Sequence, residues 1–515
     1  MLGSLAVTAV CRRFRMSPTL VLVVVGIAVS FIPGIPDFGI DPDVVLLAVL
    51  TPLLYSAALD SSYLGFRANL RPISLLAVGL VIFSTAVIGL AAWWLIPGLP
   101  LAAGLVLGAV VAPPDAVAAI AVGRRLGLPR RVMTVLAGES LVNDATALTL
   151  FRVAVAAAAG ASISLLSGVG MFLLAGLGGV LIGLAVAWVV HWIRVRLNDP
   201  PIESALGLVV PFAVYLIAEE AHASGLLAVV AAGLYLGYRA PETGFATRLQ
   251  DDAVWRASDT VLESVVFALI GLQLTNVVRE VGAVGPLLLI GLILTAVTVL
   301  ARVVWVYPAT YLPRLIPSIR RADPVPSWRT PAVISWAGMR GVVSLAAAFA
   351  ITPGVPYREQ LVFLAFFITV GTLLLHGLTL PWLIRTLGVQ GGETQADALA
   401  EAQAQHAAGR AAVARLDELA KEAEESNGQV AQHSVQKLRY MAQMRSNTSW
   451  ERLGRPAEEA GESPTAAYRR LRREMVAAER ETFVRYRDDG RIDDEVLRRV
   501  LHELDLEEAM LSRDD

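Results

Sequence analysis

The stretch VLAGESLVNDATALTL sets Glu139, Ser140, Asn143 and Asp144 inside an otherwise apolar segment that Val132, Met133, Val135, Leu136 and Ala137 lead into. On a helix, residues four apart share a face, so Glu139 lies over Asn143 and Ser140 over Asp144. One face of the segment is thus loaded with oxygens. A charge within hydrocarbon is expensive and faces either a cavity or a partner, so these oxygens suit handling of an ion or a proton. The competing reading, a polar loop with the helix starting later, is opposed by the apolar run in front of Glu139.

Two further segments interrupt apolar sequence. In GLVLGAVVAPPDAVAAIAV, Pro113 and Pro114 remove two backbone donors and must break the helix. Broken backbone is tolerated in a membrane where its freed groups are re-satisfied, and lining an ion cavity is one such place. Asp115 follows the break. It can cap the second half-helix, where amides and the positive dipole end are exposed, or bind a cation directly. In VISWAGMRGVVSLAAAFAI, Arg340 stands between Gly338 and Gly341. An unpaired guanidinium in hydrocarbon is prohibitive, which predicts a carboxylate partner. Glu139 is the first choice and Glu263, in VLESVVFALIGLQL, the second; snorkelling to a headgroup is the alternative.

The elements that must position these groups are membrane helices. Of 515 residues, 55% are hydrophobic and 17% charged, against about 25% charged in ordinary soluble domains. Apolar stretches run roughly over 2–10, 18–32, 43–59, 72–96, 100–122, 131–157, 163–193, 203–219, 222–238, 257–275, 282–312, 330–351 and 358–384. All but the first run 15 residues or more and are read as helices that cross the bilayer, where about 30 Å of hydrocarbon takes about 20 residues. The short first stretch predicts either a natural start upstream of Met1 or a partial, shielded helix. A cleaved signal peptide is disfavoured, because the basic cluster follows the apolar stretch.

The loops alternate between basic (Arg12, Arg13 and Arg15; Arg67 and Arg71; Arg124, Arg125, Arg130 and Arg131; Arg194 and Arg196) and non-basic (Asp37, Asp41 and Asp43; PGLP; AAGAS; Glu219 and Glu220), and this pattern continues down the chain. By the positive-inside rule, this predicts an all-α polytopic membrane protein of about thirteen transmembrane helices. Its N-terminus is outside and its C-terminus cytoplasmic. The two broken segments occupy the fifth place in each of two six-helix groups separated by a bridging helix. That plan gives inverted repeats with two crossing discontinuous helices, as expected of a secondary transporter.

Residues 389–515 differ in kind. GRAAVARLDELAKEAEE is helical and charged, GRPAEEAGESPT is turn-prone, and Ile492, Val496, Leu497, Leu501, Leu504 and Leu511 recur at helical spacing. The reading is a membrane domain over 1–388 and a cytoplasmic helical tail over 389–515. The tail's apolar stripe is expected to dock on a second subunit's tail or on the membrane domain. A net charge of −2 supports no nucleic-acid partner, and the single cysteine, Cys11, excludes an internal disulfide or a thiolate cluster. No phosphate-binding Gly-rich loop or HExxH occurs, so neither a cofactor nor an enzyme is expected.

The motifs GESLVNDATALT, APPDAVAA, FALIGLQL and WAGMRGVVSLA together resemble the cation/proton antiporter-1 family, the NhaP-like and NHE-like sodium/proton antiporters. The resemblance covers residues 1–388. It implies that Asp144 alternately holds the cation and protons, that Asn143 is its neutral partner, and that Ser140 supplies a ligand oxygen. It further implies that Glu139 and Arg340 form a buried ion pair and that Asp60, in LLYSAALD, reaches the site directly or through water. Where the family has TDP at the first break, this chain has PPD. Asp115 keeps the acidic position while Pro114 replaces the Thr and leaves only its carbonyl as a ligand. The resemblance also implies Na+ or Li+ exchanged for H+, with K+ as alternative cargo, in a homodimer of the cell inner (plasma) membrane. With Asn143 neutral, exchange is expected to be electroneutral. An ion-sensing receptor is the reading from another class, and no output domain follows residue 388 to favour it.

Overall fold

The structure is a computed structural model that describes residues 1–14, 16–33, 42–160, 165–197, 199–281, 284–389, 391, 393–425, 432–451, 464–489 and 491–512. Arg15, Asp37, Asp41 and most of the turn-prone stretch near 454–463 lie outside the described residues. The chain divides into two compact units, Met1–Gly391 and Gly392–Asp515.

Among the described residues every regular element is helical. The first unit comprises α1 (Leu2–Arg13), α2 (Pro18–Ser30), α3 (Val45–Leu59), α4 (Leu70–Leu95), α5 (Leu101–Val111), α6 (Val117–Leu126), α7 (Arg130–Ala158) and α8 (Leu165–Leu197). It continues with α9 (Pro200–Glu220), α10 (Gly225–Arg239), α11 (Phe245–Leu272), α12 (Gly285–Tyr311), α13 (Arg329–Trp336), α14 (Val342–Phe349) and α15 (Arg358–Leu387). Shorter helices, among them Tyr63–Ala68, Leu274–Val281 and Pro317–Ala322, lie between some of them. Seven of the described helices are long and apolar enough to cross a membrane, and three shorter ones, α2, α3 and α5, are strongly apolar.

The half-helices α5 and α14 occupy the centre. Val106, Leu107 and Val110 of α5 pack with Leu345 and Ala348 of α14 and with Leu361, Leu364 and Ile368 of α15 in one buried cluster. Small residues permit this. A Cβ on Gly104 or Gly108 of α5 would collide with the backbone at Gly89 or Thr85 of α4, so glycine at these positions lets the two backbones touch. Without a hydrophobic drive between helices in lipid, such dispersion contacts hold the bundle together.

Sequence hydropathy misplaces one start. α11 begins at Phe245, twelve residues before the apolar stretch that the sequence suggests at 257, and takes in Arg248 and Arg256, which precede that stretch. The extra turns carry charges with local partners: Asp251 pairs with Arg194, and Arg256 with Asp252 one turn earlier. Hydropathy locates the part of a helix that meets lipid, not its polar extension.

The second unit holds α16 (Glu393–Glu425), α17 (Gln432–Glu451), α18 (Pro464–Asp488) and α19 (Asp494–Ser512). The apolar stripe expected to need an outside surface finds one within the unit. Leu497 and Leu504 of α19 are buried, as is Val476 of α18, and the two helices pack together. Arg472 donates to Glu507 at 2.6 and 2.8 Å across this pair and holds that carboxyl below its ordinary range.

Candidate functional site

α7 carries its polar face to the place where two helices are interrupted. The first interruption separates α5 from α6 and the second separates α13 from α14. The breaks are bonded to each other: the Asp115 N–H donates to the Met339 carbonyl at 2.6 Å. Gly341 sits so close to Asp115 that any Cβ there would overlap the carboxylate. One Asp115 oxygen accepts the Val117 N–H at 2.9 Å, and the side chain also meets the Val342 amide. Asp115 therefore caps the starts of both second half-helices, where the helix dipoles favour an anion.

The freed carbonyls find donors. Asn143 donates from Nδ2 to the Pro114 carbonyl at 2.6 Å. Arg340 donates from Nε to the Val111 carbonyl at 2.9 Å, from Nη2 to Ala112 at 3.5 Å and from Nη1 to Gly338. It is 1% exposed. This corrects the expectation of a Glu139–Arg340 ion pair, with Glu263 as substitute. Arg340 is neutralised mainly by helix-end carbonyls, the negative ends of two broken helices. Glu139 instead pairs with Arg302, whose Nη1 and Nη2 donate to the two carboxylate oxygens at 2.5 and 2.8 Å. Arg302 also donates to the Ile334 carbonyl near the end of α13. Arg340 thus secures the ends of both broken helices, and Arg302 adds a second hold on α13.

Asp144 is treated differently. It is buried at 6% exposure, and among the described residues none donates a hydrogen bond to it or forms an ion pair with it. The neighbouring Asn143 leaves its buried Oδ1 without a partner. Ser140 lies one turn before Asp144, and its hydroxyl oxygen accepts a long 3.4 Å bond from the Ala116 N–H across the break. Oxygens of Asp144, Asn143, Ser140, Pro114 and Asp115 therefore gather around α7 and the first break. No three His, Cys, Asp or Glu side chains among the described residues converge as a metal site.

Comparison with known proteins identifies the family and the fold. The family described as "Sodium/hydrogen exchanger, transmembrane" matches residues 1–386. The chain belongs to this exchanger family, as an NhaP-like member. A protein of Mycobacterium tuberculosis named an uncharacterized Na(+)/H(+) exchanger is 34% identical, over 98% of this chain and 93% of its own length. The Na(+)/H(+) antiporter ApNhaP of Aphanothece halophytica is 31% identical over 85% of each chain. A sodium/proton antiporter structure from Methanocaldococcus jannaschii has a TM-score of 0.58 at 17% identity, covering 75% of this chain and 96% of that one, and so shares the fold. These relatives are transporters rather than enzymes.

Within the exchanger, Asp60 has no hydrogen bond to either break among the described residues. It ends α3 and lines a cavity of about 140 Å³ with Arg124, Thr134, Ala137 and Gly138, the last two immediately before Glu139 on α7. Arg302 escaped the sequence reading, although the signal was present: it is the sole charged residue of the helix Gly285–Tyr311. The criterion that singled out Arg340 applies to it equally.

Proposed function

We propose that this protein is a secondary antiporter that exchanges one Na+ or Li+ for one H+ across the cell membrane, the two ions competing for Asp144. The observation that carries this reading is the buried Asp144 carboxylate with no donor or counter-charge among the described residues. Taking a bare carboxylate out of water costs roughly several kcal/mol, and either a proton or a cation removes that cost. The two are alternative ways to discharge one group. If only the discharged site crosses the barrier, exchange results rather than leak.

A bound Na+ draws on the Asp144 carboxylate, the unpartnered Asn143 Oδ1, the Ser140 hydroxyl and the second lone pair of the Pro114 carbonyl. Asp115 adds negative field from across the break while its own oxygen stays on the Val117 amide. Asp60, in the 140 Å³ cavity, attracts cations toward α7 from the arginine-rich side. Asn143 brings no second negative charge, so one charge enters for each that leaves. The Glu139–Arg302 pair and Arg340 keep the half-helices together as the site moves. The arginine-rich loops and the tail face the cytoplasm, and two copies form the working dimer.

K+ as cargo is the second reading. A Bacillus subtilis relative 29% identical over 74% of this chain is named a sodium, potassium, lithium and rubidium/H(+) antiporter, and Pro114 offers no side-chain hydroxyl. Purified protein in liposomes with an internal pH dye decides between them by the response to Na+, Li+ and K+. Asp144→Asn is expected to abolish the signal, and a full rate in that variant overturns the assignment. Equal rates at zero and finite membrane potential are expected of electroneutral exchange.

A further inference from the structure

A second cavity, of about 80 Å³, lies at the arginine-rich ends of α4, α7, α12 and α13. Arg71, Arg131 and Arg314 form its polar side, and Leu75, Val135 and Ile334 belong to its apolar wall. All three guanidinium groups converge on one carboxylate, Asp323, which meets Arg71, Arg131 at 2.7 Å and Arg314 at 2.8 Å. Three positive charges against one negative leave an excess of two. Burial alone would push the Asp323 carboxyl up, but bonds from Arg131 and Arg314 outweigh it and hold the group below the ordinary carboxylate range. Asp323 is therefore ionised at neutral pH and the excess stays at two.

The side chain of Arg314 is only 7% exposed, and its Nε has no hydrogen-bond partner. An unmade bond on a buried donor costs about 1–3 kcal/mol, which an incoming acceptor would remove. The surface beside the cavity has the composition of a membrane interface. Leu312, Leu315, Ile316 and Trp328 are all more than half exposed, among the exposed arginines Arg320, Arg321 and Arg329. Tryptophan is enriched at the level of lipid headgroups, and basic pockets between membrane helices bind acidic ones.

We infer that this cavity binds an acidic phospholipid of the leaflet on the arginine-rich side, its phosphate at Arg71, Arg131 and Arg314 and its glyceryl and first acyl carbons along Leu75, Val135 and Ile334. The apolar wall and the exposed apolar surface beside it favour a lipid over free phosphate, which shares the headgroup chemistry. The wall is also joined to the core of the exchanger. The Ile334 carbonyl holds Arg302 at 3.0 Å, and Val135 is one turn before Glu139. A lipid seated here touches the residues that position the buried ion pair.

Native mass spectrometry of the full-length, delipidated protein tests this, with phosphatidylglycerol, phosphatidylcholine and inorganic phosphate as separate probes. Phosphatidylglycerol is expected to be retained in preference to phosphatidylcholine. The double variant Arg71→Gln/Arg131→Gln is expected to weaken that retention at least about tenfold, since each arginine removed takes away a charge-assisted bond. Ala309→Leu, at another position on the cavity wall, keeps every arginine and fills apolar space; it should weaken the lipid but not inorganic phosphate. The melting temperature of the same variants reports whether they are folded. Equal retention of the two lipids, or undiminished phosphatidylglycerol in both variants, overturns the proposal. Binding of inorganic phosphate without phosphatidylglycerol overturns it as well.

Discussion

Glu139 and Asp144 are five residues apart on one helix, both buried, at 1% and 6% exposure, and they receive opposite treatment. Glu139 has both oxygens occupied by Arg302, which is itself 1% exposed. Asp144 has no such partner among the described residues. A carboxylate with a resident partner has its charge state fixed by the protein, and is structure. One without a partner must be discharged by something that comes and goes, which is what carrying an ion requires. Burial and acidity are shared by the two turns, so the partner makes the difference.

Breaking the pair should have the largest effect. Glu139→Gln leaves Arg302 buried and uncompensated, at an expected cost of about 3–5 kcal/mol, read as a fall in melting temperature and in folded yield. Because replacing a buried pair by well-packed apolar groups is often neutral, Glu139→Leu combined with Arg302→Met should recover much of that loss. Coupling between Glu139 and Arg340 in the same kind of cycle should be smaller. If it were the larger, the pairing described here would be wrong. Asp144→Asn is expected to stop exchange while leaving melting unchanged or raised, since it removes a bare buried charge. A destabilisation as large as that of Glu139→Gln would reveal a hidden partner and erase the contrast.

Gly341→Ala should come next. It puts a methyl group into the Asp115 carboxylate and forces the two breaks apart. Misplacement of a site by about 1 Å costs on the order of a hundredfold where geometry is demanding. The expectation is an exchange rate at least tenfold lower with modest loss of stability. Wild-type exchange would mean that contact between the breaks is dispensable.

The sequence makes breaks and polar faces easy to see because hydrocarbon makes exceptions costly. Pro113 and Pro114, Gly338 and Gly341, and the Glu139–Asp144 face all stand out from apolar neighbours. The partner of each charge is harder to read. Arg340 looks as though it needs a carboxylate, but the ends of broken helices provide negative partial charge that no residue letter records. Arg302 and Glu139 are 163 residues apart, and only the fold, with α12 packed on α4, α13 and α15, brings their side chains together. The tail shows the same limit: its apolar stripe is plain in sequence, whereas its cover, α18, is known only from the hairpin it forms with α19.

Asp60 should give the smallest effect and sharpens the contrast from the solvent side. It is exposed and lines a cavity together with Arg124. A charge in that position acts through the field, which water and salt weaken: at about 0.15 M salt the screening length is ~8 Å. Asp60→Asn should therefore raise the KM for Na+ by roughly two- to fivefold at low salt, with kcat nearly unchanged. The difference from wild type should shrink as an inert salt such as choline chloride is added. A direct ligand behaves otherwise, since its loss lowers kcat, changes the order of preference among Na+, Li+ and K+, and is indifferent to added salt. A fall in kcat that persists at high salt would move Asp60 from the access route into the binding site, making the resting partner of the cation a pair of carboxylates rather than Asp144 alone.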